Sequence, residues 1–400
     1  MGYVYATINK DTLAHICKEK GVSSEFLASK TKLNMSRLNR WLTPADINLP
    51  TINQAKKIAA CLHIPFAGLY MNPCDIPLKR IPSVRNMRTM SGTVSTDDSS
   101  LNIAMIDVLL ERDFLLSADD EFGITPPDFD PLIPDSNSVD EWADAIRKQF
   151  AIEIEKQYKC NSTRQFYLYV RDKIEAKGVF VHCFTDVTID TARGFSIYNT
   201  LLPIIGINDE DRPPAKTFTI IHELVHLFKR ESSLCNDMSS SASTLSEEVF
   251  CNAVAGELLV PKSALKIVLE HGHYFAPYSI DDIKRVADRF SVSREVIVRR
   301  LLELRKIDQR EYETYTDLFR REIEEGREKR KIQRENGIKP SIPPRNMSRE
   351  AFDRTSPSVS KILYQGYVND VYSKLDIARH LNVGQNHIDK FLREVSKWNR

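Results

Sequence analysis

The chain has 400 residues, 42% of them hydrophobic, enough to bury a sizeable core divided among roughly two to four domains; this excludes a disordered tail. Basic and acidic residues number 56 and 55, a formal net charge of +1, so no global field draws the protein to nucleic acid or a membrane, and any such contact has to be local. Seven scattered cysteines with no C-x-x-C pair, no charged region leading into an apolar leader, and no apolar run of about 18 residues read as reduced thiols in a soluble, cytoplasmic chain without a membrane segment. The opening "MGYVYA" has Ala6 where a myristoylation signal wants Ser or Thr.

Residues 1–80 divide into short helical segments, "NKDTLAHICKEKG", "SSEFLASKTK", "NMSRLNRWL", "TINQAKKIAACLHI" and "PFAGLYM". Their apolar positions fall at helical spacing, and Asn, Ser or Thr stand where several of them need caps. From Met1 to Met90, 13 basic residues face 5 acidic ones, a local positive excess that the whole-chain balance hides. Residues 81–138 read as a linker, with polar "MSGTVSTDDSS" and proline-rich "PPDFDPLIPDSNS" around one helix, "IAMIDVLLERDFLL". Residues 139–275 form a second domain, in which the amphipathic helices "SVDEWADAIRKQFAIEIEKQY" and "QFYLYVRDKIEAKG" precede short β-type runs at "VFVHCFTD" and "PIIGIN", with "GFSIYN" between them. Helices return over 276–320. The charged, proline-bearing stretch "GREKRKIQRENGIKPSIPPRNMSRE" makes 321–358 a linker or arm, and "DVYSKLDIARHLNVGQNHIDKFLREV" makes 359–400 a last helical unit.

Three segments share one spacing: "LASKTKLNMSRLNRWL", "VADRFSVSREVIVRRL" and "IARHLNVGQNHIDKFL". Ala28, Ala287 and Ala378 align, as do Leu33, Val292 and Val383, then Leu38, Ile297 and Ile388, then Leu42, Leu301 and Leu392. A small residue on one helix, an apolar residue in the turn and apolar positions on the next helix allow a close, steep crossing, which is the helix-turn-helix pattern. As such a corner also serves as a plain packing unit, DNA contact is expected only at the first copy, where Ser36, Arg37, Asn39 and Arg40 offer groups for phosphates or base edges. Protein docking or sensing competes with that reading.

The run "FTIIHELVHLF", Phe218 to Phe228, carries the chemistry. His222 and His226 lie four apart, so on a helix both imidazoles share a face and reach one ion. Glu223 is turned about a third of a turn away, placed to address an open coordination position. A catalytic zinc site takes three protein ligands and a water, so one more ligand is needed. After a Ser-rich loop, the helix "EEVFCNAVAGELLVP" offers Glu248 and Asn252, again four apart. Glu248 is the expected third ligand, and Asn252 the residue that orients a ligating histidine. Glu247, pointing about 100 degrees away, is the alternative ligand. The bland alternative, a histidine pair satisfied within a core, leaves two imidazoles and a carboxylate to be matched without a cation. Tyr198, Tyr274 and the His271/His273 pair are candidates for stabilising an oxyanion.

These blocks resemble the ImmA/IrrE-type metallopeptidases, single-zinc gluzincin-like proteases often encoded with or fused to helix-turn-helix regulators. The resemblance runs from "GFSIYNTLLPIIGIND" through the two motif helices to "DDIKRVADRFSVSREVIVRRLLEL", and the segment from Ile8 to Tyr70 is similar to an Xre-like helix-turn-helix domain. Carried onto matching positions, it implies zinc held by His222, His226 and Glu248, with Glu223 as catalytic acid/base. Val225 stands where the family usually has Gly, narrowing the space beside the metal, and Cys251 where Ala is common. The implied fold is α+β: a helical N-terminal helix-turn-helix domain, a zincin-like domain with a small sheet and the His-Glu-x-x-His helix, and a helical C-terminal region. The implied activity is zinc-dependent cleavage of a protein substrate, a helix-turn-helix repressor in stress or mobile-element control, with DNA as a further partner of the N-terminal domain. The strand "LLPIIGIN" is the expected edge for an extended substrate. The competing class is a DNA-binding regulator, or a toxin-antitoxin component, with the metal site structural or silent in the regulator.

Overall fold

The computed structural model describes residues 4–79, 85–86, 99–123, 125–235, 244–335 and 346–398. Four short helices come first: α1 (Lys10–Glu19), α2 (Ser24–Thr31), α3 (Met35–Trp41) and α4 (Ile52–Cys61). Each begins where a side chain takes up a free backbone N–H. Asn9 accepts from Thr12, Ser23 from Phe26 and Asn34 from Arg37, while Thr51 and Gln54 form a capping box. Leu13, Ile16, Leu27, Leu38, Trp41 and Ile58 close a core of their own beneath them.

Beyond the two-residue strand β1 (Arg85–Asn86) runs helix α5 (Ser99–Phe122). Its Ile103 and Ile106 enter the N-terminal core, whereas Leu101, Ala104, Met105 and Val108 enter the main one. A helix wedged between two cores has to be apolar on two faces. The helix that the sequence places inside a linker is thus a wall shared by two cores.

The main body follows with α6 (Val139–Gln149), α7 (Ile154–Tyr158), α8 (Thr163–Glu175), β2 (Phe180–Phe184), β3 (Gly194–Ile197), β4 (Ile204–Asn208), α9 (Pro213–Phe228), β5 (Ser233–Cys235) and α10 (Thr244–Leu259). The strands order as β1-β5-β3-β4-β2. β2 runs parallel to β4, β3 runs antiparallel to both its neighbours, and β1 adds in parallel to β5. β4 is buried along its whole length, as a strand covered on both faces must be. The expectation that "LLPIIGIN" offers a free edge is corrected here: Ile204 pairs with Phe180 on one side and Ile197 on the other, so both rows of β4 hydrogen-bonding groups are taken. Helix α9, opened by Pro213 and Pro214 in its first turn, crosses the sheet close to β3. A Cβ at Gly194 would sit 2.4 Å from Thr219 Cγ2 on that helix, so only glycine permits the approach.

The remaining helices are α11 (Lys262–His271), α12 (Ile280–Phe290), α13 (Arg294–Glu303), α14 (Gln309–Glu335), α15 (Met347–Arg354), α16 (Pro357–Val368), α17 (Lys374–His380) and α18 (Ile388–Trp398). The segment read as a charged linker at 321–358 is therefore helical up to Glu335 and again over α15. The three related segments share their backbone. Lys32, Ser291 and Asn382 all turn in the left-handed region with φ of 55°, 54° and 51°. The next residue in each, Leu33, Val292 or Val383, donates its N–H to the carbonyl of Ala28, Ala287 or Ala378 at 3.2, 3.0 and 3.0 Å. They differ in what the second helix faces. α13 buries Ile297, Val298, Arg300 and Leu301 and works as packing, whereas α3 buries only Leu38 and Trp41.

Helices α15 to α18 dock on the main body through polar groups as well as apolar ones. Arg171 on α8 donates to the carbonyls of Asp353 (2.6 Å) and Phe352, Arg164 pairs with Asp353, and Glu175 accepts from Ser356 Oγ and from Ser358 N and Oγ at 2.7–2.9 Å. One hydrophobic core runs from Leu101 to Val395. Among the described residues no helix is long and apolar enough to cross a membrane, and Cys17, Cys61, Cys74, Cys160, Cys183 and Cys251 are free thiols.

Candidate metal centre

Helix α9 carries His222, Glu223 and His226, all buried, and α10 packs beside it with Glu248 and Asn252 on the facing side. Glu248 reaches both imidazoles: its Oε2 lies 3.1 Å from His222 Nε2 and its Oε1 3.2 Å from His226 Nε2. The two Nε2 atoms are themselves 3.2 Å apart. One ligand atom from each of the three residues falls within 4.8 Å of the others. This is the single such group among the described residues.

The proton positions follow from the second nitrogens. His222 Nδ1 faces Asn252 Oδ1 at 3.1 Å. A carboxamide oxygen only accepts, so Nδ1 carries the proton and Nε2 turns a bare lone pair inward. His226 Nδ1 lies 3.8 Å from Glu231 Oε2 and 3.9 Å from Cys251 Sγ, and in the tautomer that carries its proton there Nε2 also turns a lone pair inward. Two lone pairs and a carboxylate thus point at one place. That arrangement is repulsive without a cation and suits a divalent ion with mixed nitrogen and oxygen ligands. Without a metal, a proton on the histidines takes the place of that cation. Burial raises the Glu248 carboxyl, but hydrogen bonds and charge from His222 and His226 outweigh it and hold the group well below its ordinary value. Burial also disfavours charge on His226, yet Cys251, Glu231 and Glu248 lift its value well above that of a free histidine. Each side of the pair attracts opposite charge.

Glu223 is fully buried on the face of α9 turned toward β3, and a Cβ at Gly194 would lie 3.7 Å from its Cγ. Val225 is also fully buried, within the core. The structure brings together His222, His226, Glu248 and Asn252. It does not bring in the other candidates equally: His271 and His273 are exposed at the end of α11, Tyr274 lays its ring against Gly272, and Tyr198 follows β3 with its N–H on Ser232 Oγ at 2.9 Å. Glu231 escaped the sequence reading because it stands past the end of the helix, five residues after His226, where helical spacing predicts nothing. Cys251 was visible only as a departure from the resemblance.

Ser36, Arg37, Asn39 and Arg40 are all exposed on α3, and Arg37 and Arg40 border a cavity with Tyr5, Asn48 and Gln54.

A mixed helix and sheet domain thus presents a His-Glu-x-x-His helix and, from the next helix, a carboxylate in a group that could hold a metal ion. Residues 175–302 match the Peptidase_M78 family model, described as the IrrE N-terminal-like domain. The matched span holds the strands β2 to β4, both motif helices and the α12–α13 corner, and it supports a metallopeptidase-type function of the ImmA/IrrE kind. No curated protein matches the chain.

Proposed function

We propose that the chain is a cytoplasmic zinc-dependent endopeptidase acting on a helix-turn-helix transcriptional repressor. The observation that carries the reading is the convergence of His222 Nε2, His226 Nε2 and the Glu248 carboxylate within 3.2 Å of one another, next to a fully buried Glu223. Two imidazoles, one carboxylate and a fourth, open position are the donor set of catalytic zinc. Bound there, zinc supplies Lewis acidity, acidifying a water and polarising a scissile carbonyl. The protein's own groups do the rest. Glu223 takes the proton from the attacking water and delivers it to the leaving amine. Asn252 holds the His222 ring in the tautomer that leaves Nε2 unprotonated, and the dry walls around α9 strengthen each of these interactions. The choice of a repressor as substrate, and release of stress or mobile-element genes as the outcome, rests on the resemblance to the ImmA/IrrE-type enzymes.

The test compares cellular protein termini between cells expressing the chain and its Glu223→Gln form. Glu223→Gln keeps zinc and lowers cleavage by about 10²–10⁴-fold, the usual share of a general base, whereas His222→Ala loses both. Full cleavage by the Glu223→Gln form rejects the reading. A second role, DNA contact by the N-terminal corner, is supported by the four exposed polar side chains of α3 and the local basic excess. Arg37→Ala and Arg40→Ala should then each lower the slope of DNA affinity against salt by about 1. Unchanged slopes reject phosphate contact by these two residues of α3.

A further inference from the structure

The His226 ring is steadied by a residue that lies beyond its own helix. α9 ends with Arg230 in the left-handed region at φ 59°. That turn lets Arg230 N reach Leu227 O at 2.9 Å and Glu231 N reach His226 O at 3.0 Å, the two bonds of a Schellman cap. The cap folds the chain back along the helix end and brings Glu231 Oε2 to 3.8 Å from His226 Nδ1. This oxygen is buried, although 31% of the side chain is exposed. His226 is fully buried, so bulk water cannot serve its Nδ1. The other group at that nitrogen, Cys251 Sγ at 3.9 Å, is a weak acceptor. It also stands behind the ring, on the opposite nitrogen from Glu248, and so is no ligand.

We propose that Glu231 is the positioning residue for His226. Its carboxylate takes the Nδ1 proton in a hydrogen bond, fixes the tautomer and aims Nε2 at the ion, as the Asn252 amide oxygen does for His222. The distance exceeds a direct hydrogen bond, and a small rotation of the partly exposed Glu231 side chain closes it. The two histidines of the motif are therefore oriented from opposite sides: His222 by a residue of α10, His226 by the cap of α9 itself. The proposal rests on reading the cluster as a metal centre.

The experiment uses the full chain and its Glu231→Ala, Glu231→Gln, Cys251→Ala and His226→Ala forms. Zinc affinity is measured by competition with a chromophoric chelator, and the visible absorption of the cobalt(II)-substituted proteins reports ligand geometry. Glu231→Ala should weaken zinc by about 10–100-fold, as loss of an orienting partner does, and change the cobalt bands. Glu231→Gln, whose amide oxygen still accepts, should stay within about threefold of the parent, and Cys251→Ala within about twofold. Unfolding of the metal-free forms checks that each variant folds, and Glu231→Ser replaces the alanine form if that one does not. Three results overturn the proposal: an unchanged Glu231→Ala, a Glu231→Gln form as weak as Glu231→Ala, or a Cys251→Ala form that is the weak one. If the parent chain binds no zinc, or His226→Ala binds as well as the parent, it is the metal-centre reading that fails instead.

Discussion

Glu248→Gln removes the one anionic group that spans the two imidazoles, at 3.1 and 3.2 Å, and leaves a neutral amide of the same shape. Structural zinc sites with four ligands release about 10–16 kcal/mol on binding, so a single ligand carries on the order of 3 kcal/mol, or roughly a hundredfold in Kd. With free zinc held at about 100 times the parent Kd, binding stabilises the folded parent by about 2.7 kcal/mol. A Kd raised about a hundredfold reduces this gain to about 0.4 kcal/mol, since zinc then only half-fills the site. Urea unfolding at that fixed zinc level, repeated with a chelator, measures the gain directly. Glu247→Gln is the control, and it should keep the full gain because only Glu248 reaches the histidines. Retention of the whole gain by Glu248→Gln, or its loss in Glu247→Gln, would refute the ligand assignment.

Gly194→Ala places a methyl 2.4 Å from Thr219 Cγ2 and 3.0 Å from Gly206 O; overpacking of this kind costs about 1–3 kcal/mol. It should lift β3 from α9, so urea stability and cleavage both fall while zinc stays bound; a variant as stable as the parent contradicts the close packing. Glu175→Ala strands the donors of Ser356, Ser358 and Val181 N and leaves Asp353 as the acidic neighbour of Arg171, a loss of about 1–3 kcal/mol for each buried donor left unpaired. Limited proteolysis should then cut first in α15 to α18, and parent-like resistance there speaks against the docking role. Glu111 gives a pH signature. Burial raises its carboxyl, but the hydrogen bond with His380 and the charges of His182, His380 and Arg354 bring it below the ordinary value. A folded value below the unfolded one means stability that is present above the unfolded carboxyl range and lost as pH falls through the depressed value. The deficit of Glu111→Gln seen at neutral pH should therefore vanish on acidification, and a deficit that grows instead reverses the sign of the argument.

What the sequence made legible was local. His222 and His226 are tied by one helical turn, as are Glu248 and Asn252, so periodicity alone places each pair on one face. The helix starts at Asn9, Ser23, Asn34 and Thr51 were equally plain, because a cap is a short-range interaction. The three corners could be aligned since each needs the same small residue and the same turn. Strands of two or three residues such as β1 and β5 have no alternation to detect, and the order of strands in the sheet, which makes β4 an interior strand, is set by partners distant in sequence. The double-sided burial of α5 depends on which core lies on either flank. Glu231 meets His226 only because Arg230 turns left-handed, a choice that a non-glycine residue does not announce.

The continuous interior that steadies α9 also takes in Phe352, Ile362, Leu363 and Phe391 from beyond α14, while α5 and α15 lie against β2. A recombinant fragment trimmed to 175–302 would begin at Glu175 after losing the rest of α8, and would bare one flank of its strands to water. Exposed apolar surface of that extent invites aggregation, so insolubility of such a fragment would report on missing cover and say nothing about the cluster of His222, His226 and Glu248.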